Sequence, residues 1–300
     1  MTIIRVLIFL AGLLLLSTAN AVNFTYDGIN RRDPLTETEN LTIQATGEVF
    51  CIAANSGEQR GASGFFIDAG QPNEFTLLLS SGHSFRDNTD NQYHHDCLFR
   101  PVAEEALLPL DNIRAGNLLQ ADPADFIRND WGLSVMTGLR VPHAIPMTQR
   151  SFEQLMNILE SGEGEIKLYA GNRSPAQGAP RIQISDQCSV WKPVPGAILG
   201  AGHSLYTNCD ATESSSGGAL VLEFSDGRVE AIGIMFGAIH TTATVNRLLA
   251  QHEGASSIAD IETAIDMIPS PTTIINVAVP LLSDMQPDGL RVLLDSYTGQ

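Results

Sequence analysis

Three hundred residues, 43% hydrophobic and 17% charged, with 26 glycines and 15 prolines, describe an ordinary globular chain of one or two domains and exclude a disordered, collagenous or multi-span membrane protein. Seventeen Lys and Arg face thirty-four Asp and Glu, a formal net charge of −17. That balance excludes nucleic acid and anionic lipid surfaces as partners.

The chain opens with Arg5 and the apolar run Val6 to Leu16, followed by the small residues Ser17 to Ala21. The run is too short to cross a hydrocarbon layer of about 30 Å at about 1.5 Å per residue, so residues 1–21 are predicted to be a signal peptide cleaved after Ala21. The mature chain is then expected to be secreted or periplasmic and free of the membrane. Export also changes the reading of the four cysteines, Cys51, Cys97, Cys188 and Cys209, from metal or redox groups to disulfides. Of the three connectivities, Cys51 with Cys97 and Cys188 with Cys209 fits a two-domain chain best.

Residues 22–45 are polar and without apolar period, an irregular segment and a possible propeptide. From Thr46 onward, short bursts such as EVFCIAA, SGFFIDAG, EFTLLLSSG, DWGLSVM, EIKLYA, GALVLEF and VEAIGIMFG alternate with turn residues, the pattern of an all-β sandwich or barrel. Helical period appears over Ser151–Ser161 and Ser257–Ile268, and a last helix is predicted over Asp288–Ser296, packed through Leu290, Val292 and Leu293 or Leu294. The predicted organisation is therefore a β domain over 46–145, a linker with a short helix over 146–160, and a second β domain over 161–282. An insertion at 240–275 could bind a protein partner, and 283–300 is a C-terminal helix and tail. The cluster His94-His95-Asp96-Cys97 is not read as a metal site, because four adjacent residues on a strand cannot all face one ion.

Three settings carry candidate chemistry. Gly61-Ala62-Ser63-Gly64-Phe65 precedes an apolar strand that ends in Ser80-Ser81-Gly82-His83. Asp130 heads the apolar stretch Trp131 to Met136, and Cys209-Asp210-Ala211-Thr212-Glu213-Ser214-Ser215-Ser216-Gly217-Gly218 puts a hydroxyl at a tight turn, where backbone N–H groups can face a carbonyl oxygen.

In this order the three settings resemble the chymotrypsin-fold serine peptidases, and more closely their bacterial secreted trypsin-like and glutamyl-endopeptidase-like branch, whose motifs run G-T/S-G-F, L-T-A-x-H, D-x-A-L-L and C-D-T-x-x-G-x-S-G-G/S-P. Gly47 to Cys51, Ala231 to Gly237 and Asn276 to Pro280 extend the likeness to about residues 46–296. The resemblance implies two packed six-stranded β-barrels with a C-terminal helix, a polypeptide substrate, and neither cofactor nor metal. It implies His83 as general base, Asp130 as its orienting acid, Ser216 as nucleophile, and the N–H groups of Ser214 and Ser216 as oxyanion hole. Asp210, Thr212, Met235 and Gly237 are implied around the substrate. Serine stands at 214 where the family carries glycine, so a peptidase-like module that binds protein without cleaving it is the alternative.

Overall fold

The computed structural model describes residues 32–34, 41–102, 106–119, 123–141, 143–171, 182–191, 204–211, 213–240 and 274–299. The expected leader, Thr212, and the 241–273 part of the insertion with its expected helix lie outside the described residues. Among the described residues no helix is long and apolar enough to cross a membrane.

The apolar bursts become strands of two curled antiparallel sheets. Strand β1 (Arg32–Pro34) and the helical turn α1 (Leu41–Gln44) are followed by β2 (Thr46–Ile52), β3 (Gln59–Asp68), β4 (Phe75–Ser81), β5 (His95–Pro101), β6 (Leu108–Pro109) and β7 (Arg114–Ala115). Helix α2 (Pro123–Arg128) leads into β8 (Trp131–Thr137), with β9 (Ile145–Pro146) beyond it. Apart from β1, these strands pair in the order β6-β5-β2-β3-β4-β8-β7, and β9 lies parallel beside β3. Almost every residue of β4 and β8 is buried, which is why FTLLLSS and WGLSVMT are continuous runs without alternation.

Helix α3 (Phe152–Ser161) joins the two sheets. Ser151 and Gln154 form a reciprocal cap at its start, and Gly162 ends it in the left-handed conformation, as the sequence pattern requires. The second sheet contains β10 (Gly164–Gly171), β11 (Ile182–Cys188), β12 (Val190–Trp191), β13 (Leu205–Thr207), β14 (Ala219–Phe224), β15 (Val229–His240) and β16 (Ile274–Pro280). Its order is β1-β11-β10-β14-β15-β16-β13-β12. Each sheet thus has eight strands where six are expected, the excess lying in strands of two or three residues.

One such strand corrects the expected irregularity of residues 22–45: β1 pairs with β11, Asp33 opposite Ile184. The residue before a proline is biased to extended backbone, so Asp33-Pro34 suits a strand, yet three residues are too few to show a period. Cysteines pair as Cys51–Cys97 and Cys188–Cys209, closing loops with separations of 46 and 21 residues. Chain-entropy reasoning gives about 4 and about 3 kcal/mol of stabilisation for such closures.

Helix α4 (Asp288–Thr298) follows the second sheet in sequence but packs on the core of the first, where Leu290 and Leu294 are buried beside Trp131 and Tyr297 meets Phe75 edge-on at 5.5 Å. Val292 is 65% exposed, which corrects its expected place in that contact. At 3.6 residues per turn, 290, 293, 294 and 297 share one face and 292 falls opposite.

Candidate active site

The pairing of β4 with β8 sets Ser81 opposite Trp131, so the residues that follow the first and precede the second come together at one end of the sheet. The chain leaves β4 through a 3-10 turn over Gly82–Ser84, which carries His83. Asp130 ends the turn after α2 and is 0% exposed. Its Oδ1 accepts the His83 backbone N–H at 2.7 Å and its Oδ2 stands 2.8 Å from His83 Nδ1. One carboxylate therefore holds both the main chain and the ring of His83. Gly82 permits this approach, since a Cβ there would stand 3.0 Å from the Trp131 carbonyl and 3.1 Å from Asp130 Oδ1.

Ring desolvation is the largest influence on the His83 pKa and lowers it, but the charge and hydrogen bond of Asp130 together outweigh it. The pKa therefore lies above its ordinary value, and Arg60 pulls it part of the way back. Among the described residues the Arg60 guanidinium makes no ion pair, and it borders the same cavity as His83. Replacing Arg60 with Gln is expected to move the His83 titration to higher pH, read from the imidazole resonances against pH. A downward move would mean that Arg60 does not act on the ring through its charge.

Ser216 follows a second 3-10 turn, Glu213–Ser215, and precedes Gly217. It lines, with His83, Ser84, Arg60 and Glu58, a cavity of about 380 Å³. Its Oγ donates to the Phe236 carbonyl at 3.0 Å. Among the described residues, no hydrogen bond joins Ser216 Oγ to His83. Phe236 also meets the His83 ring edge-to-face at 5.9 Å and Phe126 at 5.8 Å, walling the imidazole on that side.

Gly217 has φ +83°, and a Cβ there would fall 2.1 Å from the Ser63 carbonyl and 2.3 Å from Ser80 Oγ. Gly217→Ala is expected to cost about 4 kcal/mol, combining backbone strain of about 1–3 kcal/mol with overpacking of similar size. A denaturant midpoint unchanged by the substitution would contradict this.

The expected substrate residues are placed differently from one another. Met235 is 0% exposed in the core of the second sheet and does not reach the cavity, which corrects its expected place on a pocket wall. A bulge in the β15–β16 pairing falls between Met235 and Gly237, and it is the intervening Phe236 that faces His83. Met235 instead holds the serine turn by its main chain: its carbonyl accepts Gly217 N–H at 2.7 Å and its N–H donates to Gly218 O at 2.9 Å. Asp210 is buried, with its N–H on Ser185 Oγ at 2.8 Å. Gly237 lies at the bulge, outside the cavity that His83 and Ser216 share. Phe126 and Arg60 lie outside the quoted motifs, while Phe236 and Ser63 lie inside them without being marked as site residues.

No family model matches the chain, and no curated protein matches it. Solved structures do. A thermostable serine protease, AL20, from an extremophilic microorganism superposes with a TM-score of 0.55 at 12% identity, covering 87% of this chain and 100% of its own. A Glu endopeptidase in complex with MPD superposes at 0.53 and 12% identity, covering 91% and 99%. The fold is that of the chymotrypsin-like serine proteases.

Proposed function

We propose that the chain is a serine endopeptidase, with Ser216 as nucleophile, His83 as general base and then general acid, and Asp130 as the group that orients and stabilises the imidazolium. The observation that carries this reading is the double grip of a fully buried carboxylate on His83, with Ser216 opening onto the same cavity. A buried carboxylate is costly unless paired and hydrogen-bonded, and here its partners are the two groups that fix one histidine ring.

In the acylation step the Ser216 hydroxyl turns from the Phe236 carbonyl to His83 Nε2 and gives up its proton as Oγ attacks the substrate carbonyl. His83 then protonates the leaving amine, and water repeats the sequence in reverse to release the acid. The N–H groups of Ser214 and Ser216 are proposed to receive the oxyanion. A 3-10 turn sends N–H groups back toward carbonyls three residues earlier, so the Glu213–Ser214 peptide rotates as substrate binds. Asp210, Thr212 and Gly237 are proposed to border the acyl side of the substrate, with Phe236 beside them. The apolar leader and the two disulfides support an exported protein.

A second reading is supported by one observation. The Ser216 hydroxyl donates to a backbone carbonyl, an arrangement open to a module that holds protein without cleaving it. Intact-mass measurement after fluorophosphonate treatment separates the two. Peptidase chemistry gives one adduct, absent from Ser216→Ala and His83→Ala. No adduct on folded, disulfide-intact protein overturns the peptidase reading and favours the binding module.

A further inference from the structure

Buried serines run from the turn that carries His83 to the turn that carries Ser216. Ser81 Oγ and Ser84 Oγ lie 2.5 Å apart, Ser84 Oγ and Ser80 Oγ 3.2 Å apart, and Ser80 Oγ donates to the Ser63 carbonyl at 2.6 Å. The Ser80 hydroxyl is the donor in both of its contacts, sharing its one proton between the Ser63 carbonyl and, at the longer distance, Ser84 Oγ, while either Ser81 or Ser84 can donate in theirs. The string runs without a break from the histidine turn to β3.

At Ser63, which is 1% exposed, every polar group is engaged. Its Oγ accepts Gly171 N–H from β10 at 2.6 Å and donates to Ser214 O at 2.6 Å. Its own N–H donates to Ser216 O at 2.7 Å. One residue of the first sheet thus holds the carbonyls on both sides of Ser215, and it does so from 151 residues away in sequence. An inward-facing hydroxyl between packed sheets costs free energy unless it is hydrogen-bonded, and the partners that satisfy this one belong to the other half of the chain.

We propose that Ser63 is a positioning residue: it anchors the Ser214–Ser216 segment to the first sheet and, through Ser80 and Ser84, fixes the distance between the nucleophile turn and the His83 turn. This rests on the serine-peptidase reading for its effect on rate. Ser63→Ala leaves Ser214 O and Gly171 N–H without this partner and frees the turn to shift. A displacement of about 1 Å in a reacting group corresponds to about 10²-fold in rate.

The test pairs two measurements on full-length protein with both disulfides intact. The rate constant of fluorophosphonate labelling reads reactivity, and hydrogen–deuterium exchange of the peptide covering 213–218 reads anchoring whether or not the protein is reactive. Ser63→Ala is expected to label about 10²-fold more slowly and to exchange faster at 213–218, with the pH midpoint of labelling unchanged because the His83–Asp130 pair is untouched. Ser63→Thr, which keeps the hydroxyl, is expected to restore both. Ser80→Ala, which removes the bond onto the Ser63 carbonyl, supplies the same comparison if Ser63→Ala does not fold.

Wild-type labelling together with an equally fast Ser63→Ala overturns the inference and leaves the peptidase reading standing. A wild type that does not label overturns the peptidase reading, and the exchange data then decide on the anchor. Faster exchange at 213–218 that Ser63→Thr reverses upholds it, and unchanged exchange overturns it. Failure of Ser63→Thr to restore either quantity also overturns a role for the hydroxyl.

Discussion

Alanine at position 216 is expected to lower peptide hydrolysis by about 10⁶-fold, the loss found when a nucleophile that works as a unit with its base is deleted. The side chain lost is small and half-buried, and among the described residues its side-chain hydrogen bond goes to the Phe236 carbonyl. Thermal stability is therefore expected to change little, and KM to stay close to that of the parent, so that the whole loss falls on kcat. Steady-state kinetics on a peptide amide check this. Comparable loss in KM and kcat, or in stability, would mean that Ser216 holds the turn rather than attacks the substrate.

Asparagine at position 130 is expected to cost about 10⁴-fold in kcat, the size of effect that follows when the base is held in the wrong tautomer. The substitution is close to isosteric, and the amide oxygen can still accept the backbone N–H of His83, so the turn keeps its shape. The amide NH₂ then faces Nδ1 and donates to it, which moves the ring proton to Nε2, the atom proposed to receive the proton of Ser216. The charge and hydrogen bond that raise the His83 pKa disappear together, so burial prevails and the pKa falls below its ordinary value. In the parent protein neutral His83 prevails only above the raised pKa, so under the proposed mechanism activity is expected to rise with pH through that value. In the asparagine variant the residual activity is expected to persist to lower pH. The sign for stability is the reverse: attraction of Asp130 for the imidazolium stabilises the fold below the unfolded-state pKa of histidine and is lost as pH rises through the folded-state value. A pH–rate profile that did not shift would remove Asp130 from the pair.

The strands that frame the site were legible because β4, β8 and β14 are buried nearly along their whole length and therefore spell mainly apolar runs without alternation. His83 and Asp130 were legible because each sits at the end of such a run. What the sequence could not show is what depends on register or on distance along the chain. A bulge between Met235 and Gly237 leaves no trace in alternation, so Met235 stood out as a pocket residue while Phe236 faces the histidine. Strand β1 is too short for a period. Ser63 sits inside a recognisable GASGF motif, yet its partners Gly171 and Ser214 are more than a hundred residues away. No local pattern reveals that pairing.

Helix α4 has a consequence for how the protein is made. It is the last described element of the chain, yet Leu290 and Leu294 complete the core of the first sheet, and Asp288 pairs with Arg128 two residues before Asp130. During synthesis the early half therefore lacks part of its own interior until residues 288–298 have been released, and a chain stopped before them leaves apolar surface around Trp131 uncovered. A nascent chain in that state stays open longer than one whose halves close independently. Arg128, two residues before Asp130, likewise waits for its Asp288 partner until that helix has been made.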